Sequence, residues 1–527
     1  MAGIVMQKIL ASLLFVFLSL AAFALVYRPE SSLELPQNST ELQSRACWFT
    51  PEVDRRVECF NLQVTEAGQQ FTLPVVVLKS NQPNNHALLY LSGGPGGSAF
   101  LSAEDMIYWQ GQFARFDIAS DLVLIDRRGT GMAEPHLQCP YFRREYRKGL
   151  SQDLSAGEEN EQNFRALSWC FDSQLSLMPD SSRLAVAALG TAADARDMQA
   201  LLSLLGYQQW SLWGVSYGTR LALAIAAKQP EGLQSLVLDS VYPPGRGQSE
   251  EWPGLMSSAM KRFFHWCDVN HCAQIQASVG GQPAVFSEGR FQQMLQQLDA
   301  RPVKLTLPSW YGEAPYQVMV NGQRYLQMVF SAIYDQHLWP QIGESLMPAS
   351  SRQKGALIKL AESFVNNAFD PDFSELVYYA AECKDNQVSD PRAVDTALSE
   401  HPYYSRYLDR LSDTDLCQSE VFKSVRGSEQ LPVDNLVNVA VPVFLLSGEL
   451  DPITPSNWIQ PLQSLLPRWQ LASFPGVGHA VVSSDICAEQ LLRDFISNPE
   501  QALTLTDKTC RQSSIMLSAS SISAVFN

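Results

Sequence analysis

Along this chain of 527 residues, apolar positions fall into two alternating rhythms from about Phe71 onward. "FTLPVVVL", "ALLYL" and "DLVLIDRRG" are short apolar runs, the latter two bounded by glycine-rich or charged turns, and they read as strands. "TAADARDMQALLSLLG" then spaces its apolar residues as a helix does and stops at Gly206. "QWSLWGVS" returns to strand and runs straight into "YGTRLALAIAAKQP", an Ala/Leu-rich helix ended by Pro230, after which "LQSLVLDSV" is strand again. Buried strands alternating with helices predict an α/β fold: a mostly parallel sheet with helices on both faces.

After "YPPGRG" the rhythm changes. Roughly residues 243–435 are helical and aromatic-rich, as in "SAMKRFFHWC" and "RYLQMVFSAIYDQHLW". "VPVFLLSGELDPITP" and "WQLASFPGVGHA" then restore the buried-strand signature. The expected organisation is a core over 25–242, a large, mainly helical cap insertion over 243–435, and a second part of the core over 436–527.

The first 24 residues stand apart from this. Lys8 precedes an apolar stretch from Ile9 to Val26, and Ala22-Phe23-Ala24 has the small-x-small form of a cleavage site. The run also approaches the roughly 20 residues that span a bilayer, so signal peptide and membrane anchor are both open readings. Either one places the remainder outside the cytoplasm, periplasmic or secreted. Ten cysteines fit an oxidising compartment, and their spacing suggests five local pairs: Cys47–Cys59, Cys139–Cys170, Cys267–Cys272, Cys383–Cys417 and Cys487–Cys510. "HWCDVNHC", with His265, Cys267, His271 and Cys272, also has a zinc-like spacing, but a short disulfide loop suits an exported chain better. The formal charge of −16 argues against nucleic acid, whose phosphates demand clustered Lys and Arg.

The chemistry begins at "GVSYG", Gly214 to Gly218. Alone, a Gly-x-Ser-x-Gly match arises by chance with probability of roughly 0.2 in a chain this long. Here the serine lies between a buried strand and a helix, where a tight turn would expose Ser216 as a nucleophile at the end of the sheet. A serine hydroxyl needs a base, and the base needs an orienting acid. His479, in "GVGHA" after a late strand, and Asp451, in "SGELDPITP", follow Ser216 in the chain order Ser, acid, His. Glu449 is the neighbouring candidate acid, disfavoured because it lies closer to the strand end.

"LYLSGGPGGSAF", residues 89–100, has the glycines of a phosphate loop but no lysine, and Pro95 disturbs the helix entry that a dinucleotide fingerprint needs. With a serine nucleophile elsewhere, the loop reads as half of an oxyanion hole. Gly94 supplies one N–H, because Pro95 has none, and Tyr217, the residue after the nucleophile, supplies the other. No metal or organic cofactor is implied.

On these residues the chain resembles the α/β-hydrolase serine exopeptidases, a group that includes prolyl aminopeptidases and secreted tripeptidyl aminopeptidases. "GGPGGS" is similar to the family's His-Gly-Gly-Pro-Gly-Gly loop, with Ser92 at the His position. "DRRGTGMAEPHLQCP" is similar to its Asp-x-Arg-Gly-Thr-Gly-x-Ser segment, with Ala133 at the Ser position. "GVSYGTRLA" and "SGELDPITP" resemble the nucleophile elbow and acid loop of the tripeptidyl branch. The resemblance spans roughly Cys47 to Cys510. It implies an α/β-hydrolase fold and peptide substrates cleaved from a free N-terminus, with the insertion as a lid that grips the substrate ammonium. Such a grip needs a carboxylate in a partly buried pocket, and "ELVYYAAECKDN" offers Glu375, Glu382 and Asp385, with Glu382 the first choice. The same three residues also read as an acidic helix face turned to solvent. A carboxylesterase or lipase on the same scaffold is the alternative function, because a fold does not dictate a substrate.

Overall fold

The computed structural model describes residues 38–518 apart from 52–55, 67, 83, 177–185, 270–285, 309–314, 387–390, 406, 408–415, 424, 426 and 504–514. The apolar N-terminal run read as leader or anchor, and with it His271, Cys272 and Cys510, lies outside the described residues. Among the described residues, no helix is long and apolar enough to cross a membrane.

In chain order the strands are β1 (Ser39–Arg45), β2 (Val57–Glu66), β3 (Gln69–Leu78), β4 (His86–Leu91), β5 (Asp121–Ile125), β6 (Gln209–Val215) and β7 (Leu233–Asp239). There follow β8 (Val303–Leu307), β9 (Tyr316–Val320), β10 (Val443–Gly448), β11 (Trp469–Phe474) and β12 (Ile515–Ser518). All but β8 and β9 join one sheet in the order β1-β2-β3-β5-β4-β6-β7-β10-β11-β12. The run β5-β4-β6-β7-β10-β11 is parallel throughout, and the flanking pairs are antiparallel.

The parallel strands are continuous apolar runs because both faces are covered. Along β4, Leu89 and Leu91 enter one core while Leu88 and Tyr90 enter the other; along β10, Leu445 and Phe444 divide in the same way. Helices Thr191–Leu204 and Tyr217–Ala226 cover the first face, and Asp105–Phe116 and Ile486–Ser497 the second.

The chain leaves the sheet after β7 and returns at β10, which pairs directly with β7. Between them stand mostly helices and the small antiparallel β8–β9 pair. This excursion builds its own apolar core from residues such as Phe263, Phe291, Tyr325 and Leu360, which Tyr146 and Leu150 of helix Pro140–Leu150 also enter. Its helix Glu375–Asp385 instead packs Leu376, Ala380 and Cys383 into the core of the main sheet. Disulfides join Cys47 to Cys59, Cys139 to Cys170 and Cys383 to Cys417. Cys267 and Cys487 are disulfide-bonded as well, so Cys267 is not a zinc-binding thiolate.

Candidate active site

Ser216 sits where β6 turns into helix Tyr217–Ala226, with φ 57° and ψ −123°. Such a backbone costs on the order of 1–3 kcal/mol for a residue with a side chain, and the surroundings impose it. Its N–H donates to the Asp239 carbonyl at 2.9 Å, and its own carbonyl accepts from Thr219 N at 2.9 Å. The flanking glycines are required by close approach. A Cβ on Gly214 would overlap the Gly218 carbonyl, and one on Gly218 would overlap the carbonyl of Leu91 on β4.

His479 follows β11 and Asp451 follows β10, so neighbouring parallel strands deliver both to one end of the sheet. His479 Nδ1 lies 2.8 Å from Asp451 Oδ2. Asp451 is fully buried and also accepts from the N–H groups of Ile453 (3.0 Å) and Thr454 (2.8 Å) and from Thr454 Oγ1 (2.7 Å). Burial alone would raise its pKa, but the His479 charge and these donors outweigh it and hold the carboxyl below its ordinary value. For His479, burial pulls the other way, yet the Asp451 carboxylate prevails and raises the imidazole above its ordinary value. Glu449 is exposed on the same turn, and its N–H donates to the Phe474 carbonyl.

Ser216 and His479 both line a cavity of about 1080 Å³. The glycine loop runs along it: Gly93 and Gly94 are in its wall, and a Cβ on Gly93 would come within 3.0 Å of Ser216 Cβ. Gly94 has φ +118°, open to glycine without strain. Tyr217 buries its ring completely, so what it offers the site is its backbone N–H at the head of the helix.

A second cavity of about 180 Å³ shares Gly94 and Ser216 with the first and contains Glu382. The other two acids of that helix are occupied elsewhere. Glu375 accepts from Cys139 N and Arg143 Nε, and Asp385 accepts from Thr191 Oγ1. Glu382 Oε2 accepts from the Tyr242 hydroxyl at 3.0 Å and from Asn386 Nδ2 at 2.6 Å. It is half-buried rather than turned to solvent.

Sequence reasoning missed several residues here. Glu251, from the start of the insertion, also lines the smaller cavity, where Arg246 and the Gly247 N–H hold its carboxylate. Tyr334, deep in the insertion, accepts from the His479 N–H at 3.2 Å and sets its ring edge-on to the imidazole at 5.2 Å. Asp239 ends β7 and lines the larger cavity; burial pushes its carboxyl up to about 6 against the pull of the Val482 and Val481 N–H groups. Only Asp239 left a sequence signal, an acid closing the apolar run Leu236–Leu238. Among the described residues, no group of three or more His, Cys, Asp or Glu is placed to hold a metal ion.

A family model described as the alpha/beta hydrolase fold matches residues 86–485. The chain belongs to that family. Its curated relatives include a tripeptidyl aminopeptidase of Streptomyces lividans, 28% identical over 166 residues, which are 30% of this chain and 29% of that protein. The chain thus spans under a third of that relative's length. Serine protease Hip1 of Mycobacterium tuberculosis is 22% identical over 439 residues, 78% of each chain. Among solved structures, the proline iminopeptidase of Mycobacterium smegmatis aligns with 87% of this chain and 97% of its own at 14% identity and a TM-score of 0.38.

Proposed function

We propose that this alpha/beta hydrolase is an exported serine peptidase that releases short peptides or amino acids from the free N-terminus of peptides. In this mechanism Ser216 Oγ attacks the scissile carbonyl while His479 Nε2 takes its proton, and Asp451 holds the imidazole and stabilises its charged form. The N–H groups of Gly94 and Tyr217 receive the negative charge that develops on the carbonyl oxygen. His479 then hands the proton to the departing amine, leaving an acyl-serine. Water, deprotonated by His479, attacks that ester and restores the serine.

The observation that carries the amino-terminal reading is the cavity of about 180 Å³ whose wall holds both Ser216 and Glu382, with Glu251 beside them. A confined pair of carboxylates within reach of the nucleophile suits a substrate ammonium group, which must find an opposite charge where it leaves water. The names of the two relatives support a peptide substrate, and that of the Streptomyces lividans protein supports its amino end. Export is supported by the disulfides and by the apolar N-terminal run, which leaves cleavage or anchoring to be measured on the mature protein.

One observation favours a second reading. The larger cavity is walled by Trp109, Trp213, Trp252, Phe330 and Tyr378, and such a trench would also suit the acyl chain of a carboxylic ester. Peptide p-nitroanilides with free and blocked N-termini, assayed beside p-nitrophenyl esters of increasing chain length, separate the two. Faster turnover of the free-amine peptides is the expected result; long-chain esters turned over alone would identify an esterase.

A further inference from the structure

The two N–H groups assigned to the oxyanion belong to different elements, and one buried side chain reaches both. Arg127, 1% exposed, directs Nη2 at the carbonyls of Gly93 (3.1 Å), Pro95 (2.6 Å) and Gly97 (3.3 Å). Its guanidinium lies over the Tyr217 ring, 5.1 Å from the centroid. At the other end Nη1 pairs with Asp194 Oδ2 at 3.0 Å, in the first turn of helix Thr191–Leu204. The Gly93 carbonyl and the Gly94 N–H are opposite ends of one planar peptide unit, so holding the carbonyl on the Arg127 side turns the N–H the other way.

We propose that Arg127 is a positioning residue for the oxyanion hole, aiming the Gly94 N–H through the Gly93 carbonyl and seating the Tyr217 turn through its ring. The inference rests on the serine-peptidase reading above. Arg127 occupies the variable position of the Asp-x-Arg-Gly segment, so the brace is a feature of this chain rather than of that pattern. Ser92, short and bonded back to the Gly97 carbonyl at 3.1 Å, shares that carbonyl with the guanidinium and leaves those of Gly93 and Pro95 to it. A lysine ammonium cannot span them, because it is a point charge where arginine is a fork.

The test compares Arg127→Lys and Arg127→Gln with Asp194→Asn, which removes the ion pair and leaves the carbonyl donations in place. Misaiming an oxyanion donor costs about 100-fold or more. Both Arg127 variants should therefore lose about that factor in kcat on a free-amine peptide p-nitroanilide, with KM within about threefold. Affinity for a peptide boronic acid, which forms a tetrahedral adduct on the serine, should fall in parallel while affinity for the product peptide holds. Asp194→Asn should lower the melting temperature and keep kcat within about threefold. Arg127→Lys retains the charge opposite Asp194 and so keeps the variant folded. Full kcat in both Arg127 variants overturns the proposal, as does an Asp194→Asn variant that reproduces their kcat loss. Activity surviving Ser216→Ala would instead defeat the serine mechanism itself, a separate outcome.

Discussion

Asp239, the last residue of β7, grips the turn that carries His479: its two carboxylate oxygens accept from the N–H groups of Val481 and Val482 at 2.8 and 2.9 Å. Ser240 Oγ adds a third tie by accepting from the Ala480 N–H at 2.8 Å. The imidazole is thus oriented from two sides, through its ring by Asp451 and through its backbone by the end of a different strand. Asp239→Ala leaves two buried N–H groups without an acceptor, which at about 1–3 kcal/mol each should cost roughly 2–6 kcal/mol and lower kcat together with stability.

The same carboxylate predicts a pH effect. Asp239 is pushed up to about 6 by burial, so the folded protein binds its proton more tightly than the unfolded chain does. Its contribution opposes folding as the group ionises: it is absent below about pH 4 and complete above about pH 6. Asp239→Asn does not titrate. Denaturant midpoints should therefore show any stability advantage of the wild type over this variant shrinking as pH rises from 4 to 6.5.

Replacing Asp451 with Asn removes the main charge that raises the His479 pKa and leaves burial, which lowers it, opposed only by the Asp239 carboxylate. The acid limb of the kcat/KM profile should move to lower pH, and kcat should fall by about 10⁴ because the imidazole loses its tautomer and orientation. Glu449→Gln, on the exposed neighbour, should stay within about twofold of wild type. A profile that shifted with Glu449 instead would reassign the acid.

Glu382→Gln keeps the shape of the smaller cavity and removes one charge. KM for free-amine peptides should rise about 10- to 100-fold, the range expected when a partly buried charge loses its partner, while short esters are turned over as before. Equal losses on both substrate types would mean that Glu382 serves the fold rather than the amine.

A methyl group on Gly218 meets the Leu91 carbonyl, which belongs to β4 and cannot step aside. Gly218→Ala should destabilise by about 3 kcal/mol, at the upper end of what overpacking costs, and should displace Ser216 with it. Thermal melting and active-site titration of the folded fraction read the two effects separately.

Periodicity alone predicted the central strands and the two helices that flank β6, because burial on both faces forces unbroken apolar runs that no exposed element can carry. It missed β1 and β2 for the same reason. β1 is largely exposed, and β2 mixes polar and half-buried positions, so neither bears that signature. The local motifs were equally legible. Gly214 and Gly218 mark a turn too tight for side chains, and the glycine loop at 93–97 marks backbone brought against Ser216.

What the one-dimensional pattern could not contain was any relationship across the sheet or into the insertion. It offered Glu375, Glu382 and Asp385 with Glu382 as the first choice, and the packing of their helix put Glu382 in the wall of a cavity shared with Ser216 while committing its neighbours to Arg143 and Thr191. Asp239, Glu251, Tyr334 and Arg127 act on the site from residues far away in the chain, through hydrogen bonds and ring contacts that have no period and no spacing. Local sterics and hydrophobic burial are written residue by residue and determine the scaffold and the tight turn that carries Ser216. Which of several carboxylates comes to share a cavity with Ser216 depends on how distant helices pack, and that was decided in three dimensions.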